Sequence, residues 1–361
     1  MIKKIYFLGS AGVPARYGGF ETFAENISQK LAGSYEITVI CSRKIYGRDE
    51  RKPDWKRVTR LFLPIHANGL QSLLYDTFSL NIACRRADLI VLLGSGAGAF
   101  LPFYRKRHRE KIWLHVDGLE WNRTKWNFII KAFLRLSFKT GIRYAGKIII
   151  DNKALKRHIP HKYHKKIVFS GYGGDHLPGL RNTASPLSES FALVIARAEP
   201  ENNLELILKS FISLKDMHLV IISNWHQTAL GRKLLQKYSG LQSISLIGPI
   251  YNDPLKLHTF RMNSSLYIHG HSAGGTNPSL VEALYSGLPV FAFDNEFNRE
   301  TTQNMTYYFR SEEELTMLLK KRKVLDLRGT ASKLKEYAQK YYTWDHAADI
   351  FLKFQQMNKQ E

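Results

Sequence analysis

The stretch His271–Thr301, HSAGGTNPSLVEALYSGLPVFAFDNEFNRET, decides the fold. It reads as a strand end, a Gly-rich loop, a short helix carrying a Glu, a Gly-Leu-Pro stop, a strand and a second polar loop. Asn277 suits an N-cap, because its side chain can accept from the first free N–H groups. Pro278 suits the first helical position, which needs no donor. Gly287 and Pro289 end the helix. A strand, helix and strand in this order form the crossover of a parallel sheet. The crossover sets Gly275, Thr276 and Asn277 at one sheet edge, beside helix N–H groups that attract anions. Glu282 follows one turn later among Leu280, Val281, Ala283 and Leu284, where a carboxylate is costly unless it is paired. Ligand hydroxyls, backbone N–H groups or Arg299 would each satisfy it.

The same alternation runs through the rest of the chain and predicts an α/β fold with parallel sheets. Strands are expected at Lys4–Gly9, Ile37–Cys41, Leu89–Leu93, Ile112–Val116, Ile148–Asp151 and Ile167–Ser170. A second series is expected at Phe191–Ala196, Leu219–Ser223, Ser243–Ile247, Ser265–His269 and Val290–Phe293. Phe20, Phe23, Ala24, Ile27 and Leu31 form a helical stripe, with Gly33 at its C′ position. Residues 171–190 are rich in Gly, Pro and Ser without periodicity, as a linker is. The expected domains are therefore 1–172 and 173–340, with a closing helix in 341–361 that packs back on the first domain.

Composition narrows the function classes. At 361 residues, 44% hydrophobic and 23% charged, the chain is an ordinary globular protein long enough for two domains. Cys41 and Cys84 are its two cysteines, which excludes a disulfide framework and fits a reducing compartment. The start, MIKKIYFLGSAG, reads as a first strand rather than a signal peptide. The uncharged run Leu89–Tyr104 is broken by glycines and Pro102, so it reads as strand, glycine turn and helix. Of the net charge of +22, residues 101–170 hold 18 Lys/Arg against 4 Asp/Glu. Such sorting points to an anionic partner for this half. Trp121, Trp126, Phe128, Phe133, Phe138 and Tyr144 lie among these cations. Stacking on nucleic acid and docking on an anionic membrane both use such residues. The helical spacing from Trp126 to Tyr144 and the lack of a nucleic-acid module favour the membrane.

Three further segments carry candidate chemistry. Gly9-Ser-Ala-Gly-Val-Pro-Ala-Arg-Tyr-Gly-Gly-Phe-Glu leaves the first strand and opens a helix, so Gly18 and Gly19 would let an anion approach its N-terminus and Arg16 would add a charge. A purely structural turn reads the same residues equally well. Trp113-Leu-His-Val-Asp-Gly-Leu-Glu-Trp121 puts His115 and Asp117 at a strand's carboxyl end, able to contact a hydroxyl or handle a proton. Asp117 as a turn cap and His115 as a core residue are the structural alternatives. Arg197-Ala-Glu-Pro-Glu-Asn-Asn203 leaves the first strand of the second series. A guanidinium there can hold a diphosphate, or pair with Glu199 or Glu201.

Taken together, GVPARYGGFETFAENI, HVDGLEW, ARAEPENN, HSAGGTNPSLVEALYSGLPVFAFD and NEFNRETTQN resemble glycosyltransferase family 4. Within it the chain resembles the bacterial rhamnosyltransferase subgroup that builds surface polysaccharides such as O-antigen and capsule. The resemblance implies the GT-B fold, two Rossmann-like domains whose parallel sheets face an interdomain cleft. It implies a retaining hexosyl transfer from a nucleotide sugar, dTDP-rhamnose in the subgroup, with no metal and no other cofactor. The donor diphosphate would fall to Gly18, Gly19 and Arg197, the ribose to Glu282, and the region of the transferred sugar to His115 and Asp117. Two positions depart from the family. Gly274 stands where the family has a Glu, so the Gly275–Asn277 backbone would orient the sugar. Asn202 or Asn203 stands where the family has a Lys, for which Arg16 or Arg299 would compensate.

The implied acceptor is a polyprenyl-diphosphate-linked saccharide. The implied location is cytoplasmic, peripheral on the inner face of the membrane, with residues 101–170 toward it and no nucleic-acid partner. UDP-hexose transfer is an alternative, as is a non-catalytic protein binding membrane or nucleic acid. Epimerases and phosphorylases use the same scaffold.

Overall fold

The computed structural model describes residues 3–16, 18–123, 126–179, 185–187, 189–214, 216–251 and 253–357. Residues 180–184 and 188 of the expected linker lie outside them, as does Tyr17. The chain divides into two units, one of residues 1–122, 126–172 and 344–361 and the other of 123–125 and 173–343.

The first unit runs β1 (Lys4–Leu8), α1 (Gly19–Leu31), β2 (Glu36–Ser42), β3 (Asp54–Trp55), β4 (Val58–Leu63), α2 (Ser72–Arg86) and β5 (Leu89–Leu93). It continues with α3 (Lys106–Arg109), β6 (Ile112–Val116), α4 (Phe128–Tyr144), β7 (Lys147–Ile150) and β8 (Ile167–Phe169). The strand order is β3-β4-β2-β1-β5-β6-β7-β8. All pairs are parallel except the β3–β4 hairpin. Every residue of β5 and β6 is buried, as a parallel sheet covered on both faces requires. The chain leaves β1 toward β2 on one side and reaches β5 on the other, so the strand order switches there.

The run Leu89–Tyr104 departs from its reading. After β5 the chain forms a 3-10 segment, Gly96–Phe103, not an α-helix. Glycines at 96 and 98 weaken an α-helix, and Pro102 removes a donor inside it. The segment is instead held by α4. The Ser137 hydroxyl donates toward the Ser95 and Gly96 carbonyls at 2.6 Å and accepts the Ala99 N–H at 2.9 Å. A Cβ on Gly98 would lie 2.2 Å from the Ser137 oxygen, so only glycine admits this approach. In α1 the stripe Phe23, Ala24, Ile27 and Leu31 is buried as the spacing requires. Gly33 follows the cap residue Ala32 but lies outside the left-handed region.

The second unit runs β9 (Phe191–Ile195), α5 (Leu204–Ile212), β10 (His218–Ile222), α6 (Ala229–Tyr238), β11 (Ile244–Ile247), α7 (Pro254–Asn263), β12 (Leu266–His269) and α8 (Pro278–Tyr285). It ends with β13 (Val290–Phe293), α9 (Glu296–Thr301), β14 (Tyr307–Phe309), α10 (Glu312–Lys321) and α11 (Leu327–Tyr341). Its strand order is β11-β10-β9-β12-β13-β14, all parallel. Leu208, Phe211, Ile221, Trp225 and Phe291 sit at the centre of its core. The order switches between β9 and β12. The last helix, α12 (Trp344–Met357), belongs to the first unit. Tyr35 donates to the Phe351 carbonyl at 2.9 Å, and Phe351 stacks on Trp113 at 5.5 Å. No helix among the described residues is long and apolar enough to cross a membrane.

The close approach at Gly98 sets an expectation. Replacing Gly98 by Ala should cost about 1–3 kcal/mol through overpacking. Gly33→Ala, where a Cβ meets nothing within 4 Å, should leave stability nearly unchanged. Melting curves of the two variants check this; equal curves would show that the α4 contact yields freely.

Candidate functional site

In an open parallel sheet, two neighbouring strands whose connections leave in opposite directions open a crevice at their carboxyl ends. Each unit has one such point, and the sequence candidates cluster at the two.

In the first unit the crevice lies past β1 and β5. Gly9 has φ +85°, and a Cβ there would meet the Leu93 carbonyl, so glycine is required where the two strand ends meet. Gly18 caps α1 and Gly19 opens it. The approach to that helix end is taken by Glu21, whose buried carboxylate accepts the Ala11 N–H at 3.1 Å. A Cβ on Gly18 would lie 2.2 Å from the Glu21 Oε2. Arg16 pairs with Glu50 and lies over the Tyr46 ring. His115 is the penultimate residue of β6, 2% exposed, with Phe20 and Phe23 edge-on to its ring at 5.2 and 4.8 Å. Neither of its ring nitrogens has a hydrogen-bond partner. Burial pushes its pKa down to about 3, so the imidazole is neutral at physiological pH. Asp117 follows β6 half-buried, next to Gly118.

In the second unit the crevice lies past β9 and β12. Two loops meet there, 196–203 and 270–277. Asn203 Nδ2 donates to the Gly270 carbonyl at 2.8 Å, and Asn202 Oδ1 lies 2.7 Å from His271 Nδ1. Asn202 Nδ2 donates to the Arg197 carbonyl at 2.8 Å. The two asparagines that stand in place of a lysine thus tie the loops together. The Arg197 backbone is held, while its half-buried guanidinium makes no hydrogen bond or ion pair with a described residue. Glu201 faces Arg123 at 3.8 Å instead. Asn277 caps α8, accepting from Ser279 N–H at 3.1 Å, and Pro278 opens the helix. Gly275 has φ +94°. Gly274 is packed against Phe297, and a Cβ there would lie 2.7 Å from two ring carbons. The ring thus fills the room a carboxylate would need.

Glu282, at the middle of α8, keeps 12% of its side chain exposed. Arg261 on α7, itself 2% exposed, pairs with one of its oxygens, and His176 Nε2 lies 3.4 Å from the other. Burial, the largest influence, raises its pKa. Arg261 and His176 outweigh it and hold the carboxyl below its usual range. Arg299 is not its partner. It bonds Asp294 at 2.5 Å and lies over the Tyr308 ring at 4.2 Å. Arg261 and His176 carry no motif signal: one is a helix residue 21 positions from Glu282, the other sits in a loop. Among the described residues no three His, Cys, Asp or Glu side chains gather as a metal site.

Comparison with known proteins follows this division. Residues 180–341 match the family described as glycosyl transferases group 1, and residues 2–175 a domain of unknown function, DUF1972. No curated protein matches the chain by sequence. Sucrose-phosphate synthase from Thermosynechococcus elongatus superposes with TM-score 0.77 at 13% identity, over 99% of this chain and 98% of its own. HepE from Anabaena, solved with UDP-glucose, gives 0.73 at 12% identity over 99% and 100%. WaaG, a glycosyltransferase of lipopolysaccharide biosynthesis, gives 0.68 at 13% over 96% and 99%. At these identities the likeness is one of fold, the GT-B arrangement of two parallel-sheet α/β domains.

Two expectations follow. Arg261→Met leaves the Glu282 charge buried without its main partner and should cost about 3–5 kcal/mol. Adding Glu282→Gln should recover much of that loss, which melting of both variants measures. His115 is neutral when folded and takes a proton when unfolded, so stability falls as pH drops from about 6.5 toward 3. His115→Phe should make the fall in melting temperature between pH 6 and 4 less steep, the rest staying with His258, His269 and His271, which burial also holds neutral.

Proposed function

We propose that the chain, whose residues 180–341 match the group 1 glycosyl transferases and whose fold is GT-B, moves L-rhamnose from dTDP-rhamnose onto a lipid-linked saccharide in surface-polysaccharide synthesis. The observation that carries this reading is Arg197. At the β9–β12 switch point it offers a guanidinium uncommitted among the described residues, on a loop that Asn202 and Asn203 tie to the one leading into α8. A diphosphate suits both, since a guanidinium can grip two oxygens and a helix N-terminus adds N–H groups. The resemblance of five segments to the rhamnosyltransferase subgroup supports the sugar. The exclusion of a side chain at position 274 by Phe297 leaves the Gly275–Asn277 backbone to orient it.

The reaction retains the anomeric configuration. The bond from the anomeric carbon to the donor phosphate breaks as charge grows on that phosphate, and Arg197 with the α8 amides stabilises the charge. The acceptor hydroxyl attacks from the same face, forms the new glycosidic bond and gives its proton to the leaving phosphate. Glu282, kept ionised, accepts from the ribose hydroxyls. In the first unit Asp117 orients the acceptor, and neutral His115 offers a ring nitrogen to a hydroxyl without adding charge. The residues named include no metal ligand set. The acceptor is a polyprenyl-diphosphate-linked saccharide, reached from the inner face of the membrane.

The test is a donor panel. The purified chain is given dTDP-rhamnose or UDP-hexoses with a lipid-diphosphate-linked saccharide, and product is followed by mass. Rhamnosyl product from dTDP-rhamnose is expected; transfer only from a UDP-hexose would overturn the donor, and no transfer from any donor the activity. Arg197→Ala should lower kcat/KM by about 10–100-fold, the worth of a charged hydrogen bond, with an unchanged melting curve. Glu282→Gln should raise the donor KM, and a wild-type KM would remove Glu282 from the ribose.

A further inference from the structure

Among the described residues of the first unit, Leu74, Phe78, Phe103, Phe128, Ile129 and Leu136 are each more than half exposed, Phe103 reaching 85% and Phe128 80%. They are not scattered. Leu74 and Phe78 lie on α2, Phe103 ends the 3-10 segment 96–103, and the other three lie on α4. These three elements are neighbours. The Ser137 hydroxyl binds the 3-10 segment to α4. Tyr104, next to Phe103, donates to Asn81 of α2 at 3.0 Å. The exposed apolar side chains thus lie on three adjoining elements, and exposed apolar surface gathered in this way marks an interaction surface.

The charge on the same elements is one-sided. The sequences of α2, 96–103, α3 and α4 contain a single carboxylate, Asp76, and it is buried. Burial pushes its pKa up to about 8, which leaves it largely neutral. Cations are many. On α4 the exposed Phe128, Ile129 and Leu136 interleave with exposed Arg135, and Lys139 and Arg143 follow toward its end. On α2 Leu74 and Phe78 give way to Arg85 and Arg86. Both helices follow a strand of the parallel sheet and return against it. The first turns of both helices, with Leu74, Phe128 and Ile129, therefore share the sheet's carboxyl side, where His115 and Asp117 lie.

The residues doing this differ in part from those the sequence pattern suggested. Phe138 is 3% exposed, and Trp121 packs against it at 4.8 Å, so both serve the core. Leu74, Phe78 and Phe103 complete the exposed face from outside the Trp126–Tyr144 helix. Its aliphatic share decides the partner. Leu74, Ile129 and Leu136 cannot stack on bases, which a nucleic-acid platform requires. A bilayer takes aliphatic and aromatic side chains alike and meets the cations with anionic headgroups.

We propose that the face made by α2, residues 96–103 and α4 docks the chain on an anionic lipid bilayer, its apolar side chains inserted and its cations on the headgroups. This rests on the reading of a lipid-linked acceptor and sharpens it: insertion at the carboxyl side of the sheet brings the lipid diphosphate to the edge that carries Asp117.

Flotation with phosphatidylcholine vesicles, with and without phosphatidylglycerol, tests the docking apart from the chemistry. The full chain should float with the anionic vesicles and be released by high salt. Phe103→Ser with Phe128→Ser, and separately Arg135→Glu with Lys139→Glu, should each cut the bound fraction by about tenfold or more. Because these side chains are exposed, melting curves and transfer to a water-soluble acceptor should stay as in wild type, while transfer to a vesicle-embedded acceptor falls. Vesicle binding without any glycosyl transfer would support the face and sink the activity instead. An unbound wild-type chain, salt-sensitive binding to oligonucleotides in place of vesicles, or a dimer that the serine variant dissolves would overturn the proposal.

Discussion

A carboxylate taken out of water must be paired, and this requirement decides which cations a ligand can use. Glu282 lies largely out of water in α8 with Arg261 and His176 against its two oxygens. Arg299 is committed to Asp294, and Arg16 to Glu50. Each pairing removes a guanidinium from the candidates at a carboxyl edge. Arg197 makes no such pair among the described residues, and its backbone is fixed by Asn202. Positioned main chain and a side chain free of described partners make it the anion contact that the geometry of this edge offers.

The glycines of the two edges do different work. In the second unit Gly274 is fixed by Phe297, whose ring occupies the room a side chain would take, while Gly275 adopts a φ that other residues resist. In the first unit Gly18 makes way for Glu21, so a carboxylate from the chain itself already sits at the N-terminus of α1. The two helix ends look alike as sequence motifs. They differ as electrostatic sites, because one is met by an acid of its own chain and the other follows a loop tied to that of Arg197, which has no ion-pair partner among the described residues.

Much of the fold was legible because buried parallel strands are short apolar runs between turn residues. Eleven such runs appear in the structure to about one residue at either end. The β3–β4 hairpin and β14 were not foreseen. Val58–Leu63 carries Thr59 and Arg60 inside it, and Tyr307–Phe309 is too short for periodicity to register. Leu89–Tyr104 misled because glycine and Pro102 turned an expected helix into a 3-10 segment. At the site, sequence could name Arg197, Asn277 and Glu282 from loop chemistry. It could not name Arg261 or His176, since nothing local marks a pair made across the fold. It offered Arg299 as the partner of Glu282, but Asp294, five residues before Arg299, claims that guanidinium first.

The central claim is that the crevice past β9 and β12 holds the donor diphosphate through Arg197 and the opening of α8. A crystal structure of the full chain with dTDP tests it most directly. The expected result is a diphosphate within hydrogen-bond reach of the Arg197 guanidinium and the Gly275–Asn277 amides, with the ribose hydroxyls on Glu282. A nucleotide bound away from Arg197, or with its ribose elsewhere than Glu282, would contradict it.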